Sequence, residues 1–150
     1  MKVVRVLGLK NIVYNAEGWK FLLFYDIDGD AEKLAQHIQK DDRFRRLTWL
    51  LYSTKHGAHL VSITPLRADT WGMLYEHLLT VQPALYSGQT IRLSRKADEQ
   101  QQLIDYHDAG NGIERLWNLY AHRFGISYHP SGFDTDGYRL VYETYKTKKE

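Results

Sequence analysis

The sequence contains no cysteine. That excludes disulfides, a thiolate nucleophile and every cysteine-ligated zinc or iron–sulfur site, and it suits a reducing compartment. Only three prolines occur, and no Pro/Gly/Ser-rich linker, repeat or low-complexity tract divides the chain. No sign of charge dominates: 20 Lys+Arg against 18 Asp+Glu leave +2, so the molecule as a whole is no polycation. Any nucleic-acid contact must come from local clusters such as Arg43, Arg45 and Arg46, or Arg92, Arg95 and Lys96. From charge alone, such runs read as solvated faces. No apolar stretch approaches the ~20 residues that cross a bilayer. The amino-terminal MKVVRVLGLKNIV is interrupted by Arg5 and Lys10 and makes a poor signal-peptide core. The expectation is one cytoplasmic domain over 1–150, without membrane contact.

What is present fits a packed core. Hydrophobic residues make up 43% and charged residues 25%, which argues against disorder. Residues 20–28, KFLLFYDID, read as a buried strand that stops at aspartate and glycine. A helix is predicted over 31–40, with Ala31, Leu34, Ala35 and Ile38 on one face and Asp30 as N-cap. Strands are predicted over 47–53 and 58–64, joined by Thr54, Lys55, His56 and Gly57, with a positive φ expected at the glycine. A helix over 70–79 and a strand over 89–94 follow. This β-α-β-β-α-β order is the ferredoxin-like, RNA-recognition-motif-like unit, an antiparallel α+β fold in which strand 20–28 lies between strands 58–64 and 89–94. Outside it are predicted an edge strand over 2–9, helices near 97–106 and over 112–124, and a terminal strand over 138–145. Asn111 and Glu114 suit a capping-box variant, and Gly125 a helix stop.

Three groups of residues can carry chemistry. Asp26 and Asp28, two apart on a strand, point to one face and repel unless a cation sits between them. Mg²⁺ or Mn²⁺ wants such oxygen ligands, completed by phosphate oxygens. An isolated D-x-D-G reads more readily as a strand ending in an Asp-Gly turn. His59 starts the strand beside 20–28 and can hold a phosphate oxygen or relay a proton, with Lys55 and the turn N–H groups nearby. His56 and His59 lack a third ligand or an H-E-x-x-H pattern for zinc. Arg92 alternates away from Ile91 and Leu93 and is a candidate phosphate ligand; Arg95 and Lys96 precede the helix predicted near 97–106, where N–H groups favour anions.

In this order the segments resemble the archaeo-eukaryotic primase–polymerase superfamily. Its D-h-D motif matches Phe24-Tyr25-Asp26-Ile27-Asp28. Its S-G-x-x-G-aromatic-H motif matches Ser53, Gly57 and His59, with Thr54 and Ala58 replacing the glycine and the aromatic. Its R-L-I-R-L-P region is similar to Thr90-Ile91-Arg92-Leu93. The likeness covers roughly 20–96. It implies a nucleotidyltransferase of replication or repair: Asp26 and Asp28 hold Mg²⁺ or Mn²⁺ and are catalytic with His59, while Ser53, Lys55, Arg92 and Lys96 contact phosphates. The implied partners are nucleotides and single-stranded or primed nucleic acid. The family's third carboxylate should precede Ile91, yet residues 86–89 contain no acid. Asp69, Asp98 or Glu99 would have to substitute, or a larger replication partner supply it.

Other readings compete. The haloacid-dehalogenase pattern D-x-D-G-T fails at Asp30 and at the hairpin after residue 47. An EF-hand loop needs its glycine sixth, not fourth as Gly29 is. Asp134 and Asp136 repeat D-x-D-G in a polar loop that reads as a turn. The principal alternative is a non-catalytic RNA-recognition-like binding or interaction module. Phe24 would supply its stacking aromatic, but 58–64 offers none.

Overall fold

The computed structural model describes residues 3–96, 99–110, 112–124 and 134–148. In chain order the elements are β1 (Val3–Asn15), β2 (Gly18–Phe21), β3 (Phe24–Ile27), α1 (Ala31–Lys40), a 3₁₀ turn (Asp42–Arg46), β4 (Trp49–Ser53), β5 (Ala58–Ser62) and α2 (Ala68–Val81). They continue with β6 (Thr90–Arg92), β7 (Gln102–His107), α3 (Ile113–Ala121), a 3₁₀ turn (His122–Phe124), β8 (Asp134–Thr135) and β9 (Tyr138–Lys148). The protein is α+β, with β3-α1-β4-β5-α2-β6 in the ferredoxin-like order and two antiparallel sheets.

One sheet runs β3-β5-β4-β7. In the other, β1 is flanked by β9 on one side and by β2 and β6 on the other, and β8 pairs with β9. Residues 3–9 of the segment read as an edge strand therefore belong to a long central strand. Segment 20–28 is two strands rather than one, because the chain changes sheets at Leu22 and Leu23. The Leu22 N–H donates to Asn11 O (2.8 Å), whereas Leu23 O accepts from Ser62 N–H (3.0 Å). Leu22 accordingly joins one hydrophobic cluster and Leu23 the other.

Period-two alternation sorts the β3 side chains between these clusters. Tyr25 and Ile27 pack with Leu34, Ala35 and Ile38 of α1 and Leu74 and Leu78 of α2. Phe24 packs instead with Leu50, Tyr52 and Val61 of its own sheet, Leu9 and Val13 of the other, and Leu116, Leu119 and Tyr120 of α3. Fully burying each large apolar side chain contributes roughly 1.5–3 kcal/mol, so both faces of the β3 sheet are strongly specified. Asp30 caps α1 as expected, its Oδ1 accepting from Lys33 N–H at 3.1 Å.

Two further placements differ from the sequence reading. First, β6 does not lie beside β3; it pairs with β1 through Gly8↔Arg92, Leu9↔Ile91 and Lys10↔Thr90. Residues 85–88 border β3 instead, with Leu85 N–H donating to Asp26 O at 2.7 Å. Gly88, at φ +75°, then turns the chain away, and a Cβ there would lie 2.6 Å from Phe24 O. Second, within the segment near 97–106 read as a helix, residues 102–107 form β7, paired with β4 from Ser53↔Gln102 to Trp49↔His107. Gln and Glu favour a helix locally, but the open backbone groups along β4 need partners, and tertiary pairing wins. For α3, Gly112 stands at the N-cap without a side-chain bond. The capping role of Asn111 and the stop at Gly125 lie outside the described residues.

Candidate functional site

β3 and β5 are neighbours, as the ferredoxin-like order predicts, and their register makes Asp26 and His59 direct partners. Alternation places both on the face shared by Phe24 and Val61. Asp26 Oδ1 lies 3.2 Å from His59 Nε2, with the two side chains 25% and 17% exposed. This register depends on Gly57. Its φ is not positive; the glycine is needed because a Cβ would sit 1.8 Å from Ile27 O. The preceding turn is closed by Thr54, whose N–H donates to Gly57 O (2.9 Å) and whose Oγ1 accepts from Gly57 N–H (2.9 Å).

Behind His59 runs a chain of hydrogen bonds that the sequence did not reveal. His59 Nδ1 is 3.0 Å from the Tyr120 hydroxyl, and that hydroxyl donates to Gln101 Oε1 at 2.9 Å. Gln101 Nε2 donates to Glu99 at 2.5 Å, and Arg123 clamps Glu99, its Nε lying 2.9 and 2.8 Å from the two oxygens while Nη2 donates to Oε1. Burial disfavours the Glu99 charge, but the hydrogen bonds and charge of Arg123, with Gln101, outweigh it and hold its carboxyl below the usual range. Burial likewise opposes the Arg123 charge; Tyr120 and Glu99 reverse that, and its pKa is raised. Burial pushes the Tyr120 phenol up, so it keeps its proton.

The direction of each bond follows. Ionised Glu99 only accepts, so Gln101 turns its amide to Glu99 and its carbonyl to Tyr120. Tyr120 commits its single proton to Gln101, and its oxygen therefore accepts from Nδ1–H of His59. Nε2, the other ring nitrogen, faces Asp26 Oδ1 at 3.2 Å.

Asp26 and His59 open into a cleft of about 450 Å³ between the two sheets. Its far wall is one face of the β1 sheet: Thr90 and Arg92 from β6, and Glu143, Tyr145 and Thr147 from β9. Arg92 and Glu143 both pair with Gly8, whose missing side chain leaves room between them. A Cβ at Gly8 would meet Thr90 Cγ2 at 2.9 Å. Glu143 Oε1 accepts from the Thr90 hydroxyl at 2.6 Å. Lys96, Tyr86 and Arg123 complete the basic and aromatic lining. Arg92 is braced by backbone carbonyls, its Nε 3.0 Å from Ser94 O and its Nη2 2.7 Å from Arg95 O.

The predicted site residues thus separate. Asp26, His59, Arg92 and Lys96 share the cleft. Asp28 lies past the last paired residue of β3, is exposed, and is not among the cleft-lining residues. Lys55 is exposed in the turn, and the Ser53 hydroxyl donates to Gln102 O at 3.3 Å; neither lines the cleft. Of the substitutes for a third carboxylate, Asp69 is exposed and paired with Arg67, Glu99 is clamped by Arg123, and Asp98 lies outside the described residues. The acid that does reach the cleft is Glu143, on a strand whose motif-free sequence carried no signal. A hard divalent ion takes oxygen ligands, and the carboxylates among the lining residues are Asp26 and Glu143.

No family model, no curated protein and no solved structure matches the chain. Among the described residues, no helix is long and apolar enough to cross a membrane.

Proposed function

We propose that the cleft binds the phosphates of a nucleotide, or of a nucleic-acid end, and that the chain is a primase–polymerase-like nucleotidyltransferase. The observation that carries the reading is the convergence of Asp26 and His59, in register on neighbouring strands, with Arg92 and Lys96 in one cleft. Asp26 and Glu143 would hold a Mg²⁺ or Mn²⁺ ion, with phosphate oxygens and water as its further ligands. Such an ion neutralises phosphate charge and activates an attacking hydroxyl. Arg92 and Lys96 would orient phosphate oxygens, and His59 Nε2, aimed by Tyr120, would hold or accept a proton beside Asp26. Tyr86 and Tyr145 line the same cleft and would stack against a base.

A second reading, a nucleotide-binding module without transfer, is favoured by the exposure of Asp28. It leaves Asp26 as the single β3 carboxylate in the cleft. One experiment separates the two: calorimetric titration with Mn²⁺ and nucleoside triphosphates, beside labelled-nucleotide incorporation on single-stranded and primed templates. Asp26→Asn and His59→Ala should abolish incorporation, and Asp26→Asn should weaken Mn²⁺-nucleotide binding. Wild-type incorporation that both variants keep at full rate refutes the assigned site. Binding through Asp26 without incorporation selects the second reading, and no binding by the wild type rejects both.

A further inference from the structure

A second cluster lies on the opposite side of the β3 sheet, where α1 and α2 cover it. His37 sits in the last turn of α1, Asp41 follows at its C-cap, and His77 comes from α2. One ligand atom from each lies within 4.8 Å of the other two. The two Nε2 atoms face each other at 2.6 Å, and His77 Nε2 is 3.5 Å from Asp41 Oδ2. We propose that His37, Asp41 and His77 form a binding site for a borderline divalent transition-metal ion of the Zn²⁺ type, which would tie α1 to α2.

Chemistry and placement both support it. His37 and Asp41 are four apart, so the helix end brings them to one side. Asp41 is fixed by the backbone at both junctions: its N–H donates to Ile38 O, and its Oδ1 accepts from Arg43 N–H at 3.1 Å. Two imidazole nitrogens pointed at one another cannot both present lone pairs, so a proton bridges them, and a metal ion can take its place. Two Zn–N bonds of about 2.0–2.1 Å at the tetrahedral angle set the nitrogens about 3.3 Å apart, so the rings must part by about 0.7 Å. The ring planes are inclined by only 32° at a centroid distance of 4.7 Å, and His77 is 34% exposed, so rotation of that ring can open the gap.

Arg43 opposes the ion. Its Nη2 is 2.7 Å from Asp41 Oδ2 and its Nε 3.0 Å from Oδ1. A carboxylate has about four acceptor positions, so Asp41 can hold both the guanidinium and a metal. Three protein ligands and an exposed side leave a fourth position to water, as in open zinc sites.

The test uses the whole chain titrated with Zn²⁺ and with Co²⁺, read by calorimetry, thermal melting and the visible absorption of tetrahedral Co²⁺. The expected result is a site with tetrahedral Co²⁺ absorption, a rise in Tm on metal addition, and loss of both in His37→Ala and His77→Ala. Asp26→Asn, in the cleft on the opposite face of the β3 sheet, should keep them. Independently of any variant's folding, Zn²⁺ should shift the ring-nitrogen NMR signals of His37 and His77. Absence of metal binding by the wild type overturns the proposal, as does binding that leaves those two rings unshifted.

Discussion

Replacing Tyr120 by Phe deletes one hydroxyl and tests the chain of bonds that aims His59. Tyr120 is 1% exposed, and its hydroxyl lies 3.0 Å from His59 Nδ1 and donates to Gln101. Each intramolecular hydrogen bond contributes about 0.5–1.5 kcal/mol net, and a buried group left unpaired costs about 1–3 kcal/mol. The ring itself stays, so its stacking on Tyr52 (centroids 4.9 Å, 27°) is kept and no cavity of consequence opens. His59 and Gln101 are only partly buried, so water can reach one of the stranded groups. The loss should therefore be about 1–3 kcal/mol, at roughly 2–4 °C of Tm per kcal/mol for a chain of this length. Calorimetric melting gives the magnitude, and ¹⁵N-edited NMR of the imidazole reads the cause. In the wild type Nδ1 should carry a slowly exchanging proton, and in Tyr120→Phe that resonance should broaden or vanish. A variant with unchanged Tm and an unchanged Nδ1–H signal would refute the assigned bond directions.

Three other expectations follow from the same geometry. Gly57→Ala should cost about 3 kcal/mol or more in urea unfolding, at or above the upper end of overpacking costs, because the Cβ would meet Ile27 backbone and not a pliable side chain. Gly72→Ala, with nothing within 4 Å, should instead stabilise α2 by up to about 1 kcal/mol; similar effects at both positions would contradict this contrast. The lowered Glu99 pKa implies a contribution present above the usual carboxyl value of 4.5 and lost as pH falls through the depressed folded value. The Tm decline below about pH 4.5 should thus be shallower in Glu99→Gln, and identical slopes would exclude the linkage. Arg92→Ala or Lys96→Ala should flatten the dependence of log nucleic-acid affinity on log salt by roughly 0.7–0.9 each. Unaltered slopes would remove both residues from the phosphate-binding role.

Local pattern was enough for much of the architecture. Asp30 before an apolar face at helical spacing marks α1 because capping and amphipathicity act within a few residues. The nearness of His59 to Asp26 was legible for a similar reason: the β-α-β-β order makes their strands neighbours, while the pairing of the two residues came only with the structure. The triplet Thr90-Ile91-Arg92 was recognisable as a strand, but not which strand it would join. That choice was made by Gly88, which turns the chain from β3, and by Gly8 of β1, which leaves room for the side chains beside it. Likewise 97–106 has helix-favouring composition, yet at 102–107 unpaired backbone along β4 claimed it as β7.

The candidate site divides along the same line. Sequence by itself placed an aspartate and a histidine on one face of one sheet, because side-chain alternation is a property of a single strand. It could not show that Asp28 would fall beyond the pairing, or that Glu143 and Arg92 would face Asp26 across a cleft. Nor could it bring Arg123, Glu99, Gln101 and Tyr120 into line behind His59, or His37 against His77, 40 residues away. Such contacts join residues far apart in the chain, and only the packing of two sheets and three helices brings them within hydrogen-bonding distance.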